Sequence, residues 1–130
     1  MASFAVRSNG LSAYQTIQQD AEGRESKIQF IELLFDRLAA SLAGIRHAEL
    51  AGDSRAREMH WARATRIVVG LENALDPRFS KELTQNLGAL YRYYLRRLNR
   101  LSRNGSAETV EELLGYTNTL RSAFLSKKER

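Results

Sequence analysis

Residues 86–101 read NLGALYRYYLRRLNRL, and the assignment of that run decides the fold. Its apolar residues do not alternate as a half-buried strand requires. With Leu83 just ahead, Leu87, Leu90, Tyr94, Leu98 and Leu101 recur at steps of four and three, the spacing that lines one face of an α-helix. Arg92, Arg96, Arg100 and Arg103 recur at the same steps on another face. Tyr91 and Tyr93 fall on the flanks of the apolar stripe, where a ring with a polar tip suits half exposure. The run predicts a long amphipathic helix with one face in a core and an arginine face in water.

Working outward, turn signals fall at regular intervals. Gly23 precedes one long periodic stretch, Gly52-Asp53-Ser54 divides it from the next, Asp76-Pro77 ends that one and Asn104-Gly105-Ser106 ends the third. Ser26, Ser54, Ser80 and Ser106 each supply a hydroxyl at a helix start, and Gly52 and Gly105 suit left-handed helix ends. Ile28, Ile31, Phe35, Leu38, Leu42 and Ile45 form a helical stripe, as do Met59, Ala64, Ile67, Val68, Leu71 and Leu75, and Val110, Leu113, Thr117, Leu120 and Phe124. A short helix around Ser12 to Asp20 precedes them. Short connections between long helices favour antiparallel neighbours. The fold class expected is all-α: an antiparallel up-down bundle of four long helices with a short N-terminal helix. The bundle spans residues 12–126, with a mobile tail over 1–11 and a C-terminal tail over 127–130.

The chain has 130 residues, 43% of them hydrophobic, with no cysteine and a net charge of +5, which suits one globular domain able to bury a core without staples. Neither disulfides nor a thiolate nucleophile are available. The start, MASFAVRSNGL, lacks an apolar signal region, and no stretch reaches the length of a membrane span, so a protein that is cytoplasmic, or carried out by a route that needs no cleaved signal, is expected.

Chemistry is sparse. His47 and His60 lie on different helices without partners at metal-ligand spacing, so no metal is expected. Glu32, Asp36, Glu111 and Glu112 offer carboxylates, but Glu111-Glu112 reads as a solvated face, and no phosphate-binding glycine loop is present. No enzyme activity and no cofactor are expected. The arginine face of residues 92–103 admits two readings. One is a small helical module binding nucleic acid or another protein through its cations, with tyrosines stacking on bases. The other, preferred, is a solvated surface whose arginines pair with Glu and Asp of neighbouring helices, with no nucleic acid bound.

The residues also carry a resemblance. Asn86 to Leu98 resembles the "NL..LY.Y...RL" helix of the flagellar secretion chaperone FliS family. In the same order, Ala13-Tyr14-Gln15 resembles an early tyrosine motif, Ile31-Glu32-Leu33-Leu34-Phe35-Asp36 the "hydrophobic-LYDG" helix, Ala74-Leu75-Asp76 the "TLD" helix end, and Leu120-Arg121-Ser122-Ala123-Phe124 the "LRdAW" close. The match runs over roughly residues 12–125. Three features depart from the pattern: Arg37 replaces a glycine, Phe35 replaces a tyrosine, and the proline before the second motif is missing around Glu25 to Lys27.

The resemblance implies an antiparallel bundle that holds the disordered C-terminal segment of newly made flagellin in the cytosol until export, doing no chemistry on it. Such a client offers apolar anchors at helical spacing, which fit a groove between helices. The candidate lining residues are Ile28, Ile31, Leu34, Phe35 and Leu38 from one helix and Leu87, Leu90, Tyr91, Tyr94 and Leu98 from another. Tyr91 is placed at the groove edge. Tyr14 and Ile17 suit either a cover for the groove when the client is absent or a short structural helix that never moves. Other flagellar export or regulatory proteins are left open as further partners.

Overall fold

A computed structural model describes the backbone of residues 13–78, 80–101 and 107–128, and the side chains of 27–78, 80–101 and 107–123. It contains four helices, α1 (Ala13–Ala51), α2 (Ser54–Asn73), α3 (Lys81–Leu101) and α4 (Ala107–Lys128), and no strand among the described residues. Contacts group the chain into two units, Met1–Phe30 and Ile31–Arg130. The described part of the first unit is helical throughout.

Two expectations at this end are corrected. Gly23 does not interrupt α1, and Ser26 lies inside the helix and starts nothing. One glycine costs a helix only about 1 kcal/mol against alanine, and the flanking Gln, Ala, Glu and Arg are good helix formers. Residues 13–20 therefore continue into α1 without a break. The short helix expected around Ser12 to Asp20 is thus not a separate element over residues 13–20, and the part of that expectation ahead of Ala13 lies outside the described residues.

The helix junctions follow from local chemistry. Gly52 takes φ 68°, a left-handed conformation that glycine adopts without steric cost. It lets Gly52 N–H reach the carbonyl of Glu49 (3.2 Å) and Asp53 N–H that of Ala48 (2.9 Å), which satisfies the last carbonyls of α1. Asp53, not Ser54, caps α2: its carboxylate accepts from Ala56 N–H at 3.0 Å. The aspartate fits because the left-handed glycine before it has already turned the chain. Ser80 caps α3 as expected, accepting from Leu83 N–H at 3.1 Å, with Glu82 in the first turn.

Cross-helix contacts close a ring of four antiparallel neighbours. Between α1 and α2, Arg57 pairs with Glu49 at 2.8 Å, His60 lies against Gly44, and Leu34 lies against Gly70. Between α2 and α3, Arg57 donates to the Leu101 carbonyl, Trp61 Nε1–H donates to the Leu98 carbonyl at 2.6 Å, and Leu75 lies against Gly88. Between α3 and α4, Tyr94 meets Thr117 and Arg97 meets Thr109; between α4 and α1, Arg121 pairs with Asp36 and Arg46 with Glu111. In every pair one residue number rises as the other falls. From Ile31 onward the chain is thus an up-down four-helix bundle, as the periodicity predicts.

Its interior contains Leu38, Leu42 and Ile45 of α1, Ala64, Val68 and Leu71 of α2, Tyr94, Leu98 and Leu101 of α3, and Val110 and Leu113 of α4. Burying each large aliphatic side chain contributes about 1.5–3 kcal/mol. Among the described residues, Ile28, Met59 and Leu83 leave their expected stripes. Met59 is 50% exposed, because it stands five residues, or about 140° of helical turn, from Ala64, and so faces outward. Leu83 is 47% exposed although it shares the angular position of Tyr94. It lies in the first turn of α3, and with Leu75 already opposite Gly88, α2 has ended before reaching it.

Candidate functional site

The structure divides the candidate lining residues into three groups. Leu34, Phe35 and Leu38 of α1 and Tyr91, Tyr94 and Leu98 of α3 join one buried cluster. Ile31, Leu87 and Leu90 are half-buried against that cluster, and Ile28 is 43% exposed. The side chains of Tyr14 and Ile17 lie outside the described residues.

Tyr91 is the main correction. Expected at the half-exposed edge of a groove, it is only 3% exposed. The reason is that α3 packs against two neighbours at once, with Trp61 of α2 on one side and Glu112 and Thr117 of α4 on the other. Its buried arc is therefore broad and holds both Tyr91 and Tyr94, while Leu90 falls toward its margin. Burial pushes the hydroxyls of Tyr91 and Tyr94 up to about 12, so both are neutral at physiological pH. The hydrogen bond with Thr117 opposes this shift at Tyr94 without cancelling it.

What remains accessible is an apolar edge along α3 and α4. Leu83, Leu87 and Leu90 follow one another at steps of four and three, the first exposed and the others half-buried. On α4, Tyr116 is 42% exposed and Leu120 is half-buried against the core. The rings of Tyr93 and Tyr116 meet edge to face with centroids 6.4 Å apart. Tyr93 donates to Glu112 Oε1 at 2.7 Å, a bond that raises its pKa and holds the ring upright beside the edge. Tyr116, Leu33 and Val69 are exposed apolar residues that the sequence reading left out. For Tyr116 a signal existed: it stands three residues after Leu113 and four before Leu120, on the shoulder of the α4 stripe.

The arginine face also differs from expectation. Among the described residues Arg92, Arg96 and Arg100 form no ion pair with neighbouring helices, although Arg96 lies over the Tyr93 ring at 5.9 Å. The arginine that pairs is Arg97, with Glu112 at 3.4 Å, and it stands outside that stripe. The four-residue repeat points the three arginines away from α4, beyond reach of its acids. No group of three His, Cys, Asp or Glu able to hold a metal occurs among the described residues. No helix among them is long and apolar enough to cross a membrane.

The motif residues converge in space. Asp36 and Arg121, 85 positions apart, join α1 to α4 with an Nε–Oδ1 distance of 2.9 Å. Leu75 of the Ala74-Leu75-Asp76 end lies beneath Gly88 of the long tyrosine helix, and the Asp76 carbonyl accepts from Thr84 at 3.2 Å.

These features define an all-helical bundle protein with an apolar edge left open beside its core. The chain matches the family described as flagellar protein FliS over residues 10–128, and it belongs to that family. It is 30% identical over 118 residues to the flagellar secretion chaperone FliS of Salmonella typhimurium strain LT2, covering 89% of this chain and 87% of that one. To the protein of the same name from Escherichia coli strain K12 it is 29% identical over 117 residues, covering 88% and 86%.

Proposed function

We propose that this chain is a cytosolic export chaperone that binds the disordered C-terminal segment of flagellin, prevents its premature polymerisation and aids its export. The supporting observation is the apolar edge of Leu83, Leu87, Leu90, Tyr116 and Leu120 beside a well-packed bundle. Monomeric surfaces rarely expose such a row without a partner to cover it. A client helix with apolar side chains at three-and-four spacing matches the steps of Leu83, Leu87 and Leu90. Ordering a disordered client costs about 2–5 kcal/mol, which a wrapped apolar contact must offset. Half-buried leucines are well suited to this, because their inner halves are already fixed by the core.

The test is calorimetric titration with a flagellin C-terminal fragment. Leu83→Gln combined with Tyr116→Gln removes exposed apolar surface from both helices and leaves the buried cluster intact. Affinity is expected to fall about tenfold or more, since well-packed interface residues can each be worth about 2 kcal/mol, while the melting curve stays with wild type. Wild-type affinity in this variant would place the client elsewhere.

A further inference from the structure

We infer that the outer side of α2 and α3 is a second docking surface, one that takes an acidic amphipathic helix of a protein partner other than the client. α2 carries two stripes. Ala64, Ile67, Val68 and Leu71 face the core, whereas Arg55, Met59, Ala62, Arg66 and Val69 recur at four, three, four and three on the opposite side. Met59 is 50% and Val69 40% exposed, and both arginines of this outer stripe are exposed.

α3 extends the same chemistry. Arg92, Arg96 and Arg100 are exposed, and their four-residue steps space them by about 6 Å along the axis. Arg92 lies where the two helices meet: a Cβ on Gly88 would stand 3.3 Å from its Nη1 and 3.5 Å from Leu75 Cδ1. Arg57 and Arg97 are already paired with Glu49 and Glu112. That leaves Arg55, Arg63, Arg66, Arg92, Arg96 and Arg100 without an ion pair among the described residues, against Glu58, Glu72 and Glu82 on the same two helices.

Charge selects the occupant. Carboxylates at four-residue spacing on a partner helix match the arginine repeat of α3 step for step. A second copy of this chain is repelled, since each carries a net charge of +5. Residues 1–30 offer no excess of acid, with Arg7, Arg24 and Lys27 balancing Asp20, Glu22 and Glu25. Nucleic acid would satisfy the arginines but has no use for Met59 and Val69, whereas arginine and methionine together are enriched at protein interfaces.

The probe is a labelled helical peptide, long enough to follow α3, with glutamates every fourth residue and leucines on the adjoining face. Its lysine counterpart and a random DNA duplex serve as comparisons, and binding is read by fluorescence anisotropy at low and moderate salt. The glutamate peptide is expected to bind and to weaken as salt rises, and the lysine peptide to stay free. Replacing Arg92, Arg96 and Arg100 together by glutamine should weaken it about tenfold, as three exposed charge pairs warrant. Met59→Gln with Val69→Gln should weaken it severalfold, with both variants melting like wild type. Prior saturation with the flagellin fragment should leave this binding unchanged, which separates its failure from failure of the proposed client site. Absence of peptide binding would overturn the inference. So would duplex binding as tight as that of the peptide and indifferent to Met59 and Val69, which would reassign the face to nucleic acid.

Discussion

Removing one hydroxyl from the α3–α4 contact measures how the two helices are joined. Thr117 donates to the Leu113 carbonyl at 2.8 Å, and across its 3.0 Å contact with the Tyr94 hydroxyl either oxygen can supply the proton. The Leu113 carbonyl is also 3.2 Å from the Tyr94 hydroxyl, within reach of its proton. All of these atoms are buried. Tyr94→Phe keeps the ring and the packing, loses one net hydrogen bond and leaves Thr117 still donating, so the cost should be about 1 kcal/mol. Thr117→Val keeps the shape and leaves Tyr94 only the longer bond to Leu113, again at about 1 kcal/mol. When both hydroxyls are gone no buried donor is stranded, so the double variant should cost less than the sum of the singles. A coupling of about 0.5–1 kcal/mol is expected. For a bundle of this size, each single loss lowers the melting temperature by about 3–5 °C. Circular-dichroism melts and urea titrations at neutral pH supply the four corners of the cycle. Strict additivity, or a wild-type melt for Tyr94→Phe, would refute the reasoning and mean that the hydroxyls do not bridge the helices.

Three further outcomes follow from particular atoms. Raising pH from 10 to 12 should destabilise the fold by about 2 kcal/mol for each of Tyr91 and Tyr94, because the unfolded tyrosines ionise near 10 while the buried ones hold their protons to about 12. That stability is complete below pH 10, and Tyr91→Phe should flatten the alkaline limb of a stability–pH curve. Gly44→Ala should destabilise by about 1–3 kcal/mol, since its Cβ would stand 2.6 Å from the His60 ring, and adding His60→Ala should remove the clash contribution in a thermal double-mutant cycle. Gly52→Ala should cost about 1–2 kcal/mol by denaturant titration, through backbone alone, because nothing lies within 4 Å of the added methyl while φ stays at 68°.

Much of the architecture was legible because it is written in local, periodic chemistry. The stripe of Phe35, Leu38, Leu42 and Ile45, the glycine at 52 and the serine at 80 each act within a few residues of themselves, so reading along the chain captures them. Family motifs were legible for a related reason, since a short run such as Asn86 to Leu98 combines a face with a spacing. Gly23 does not break α1 because glycine is a break signal only when nothing nearby favours continuation, and here Gln18, Gln19, Ala21, Glu22, Arg24 and Glu25 are good helix formers.

The sequence by itself determined that this chain forms long amphipathic helices, roughly where they turn, and which family of proteins it resembles, because periodicity, caps and motifs are properties of neighbours along the chain. Only the tertiary structure decided which residues within each stripe are interior. Tyr91 and Leu83 differ in sequence context by little, yet one is enclosed between α2 and α4 and the other extends past the end of α2. It alone decided that Asp36 takes Arg121 while Arg92, Arg96 and Arg100 face outward without an acid from α4. Burial and pairing depend on how far each neighbouring helix extends and which arc it covers, and those quantities arise when four helices pack together, not within any one of them.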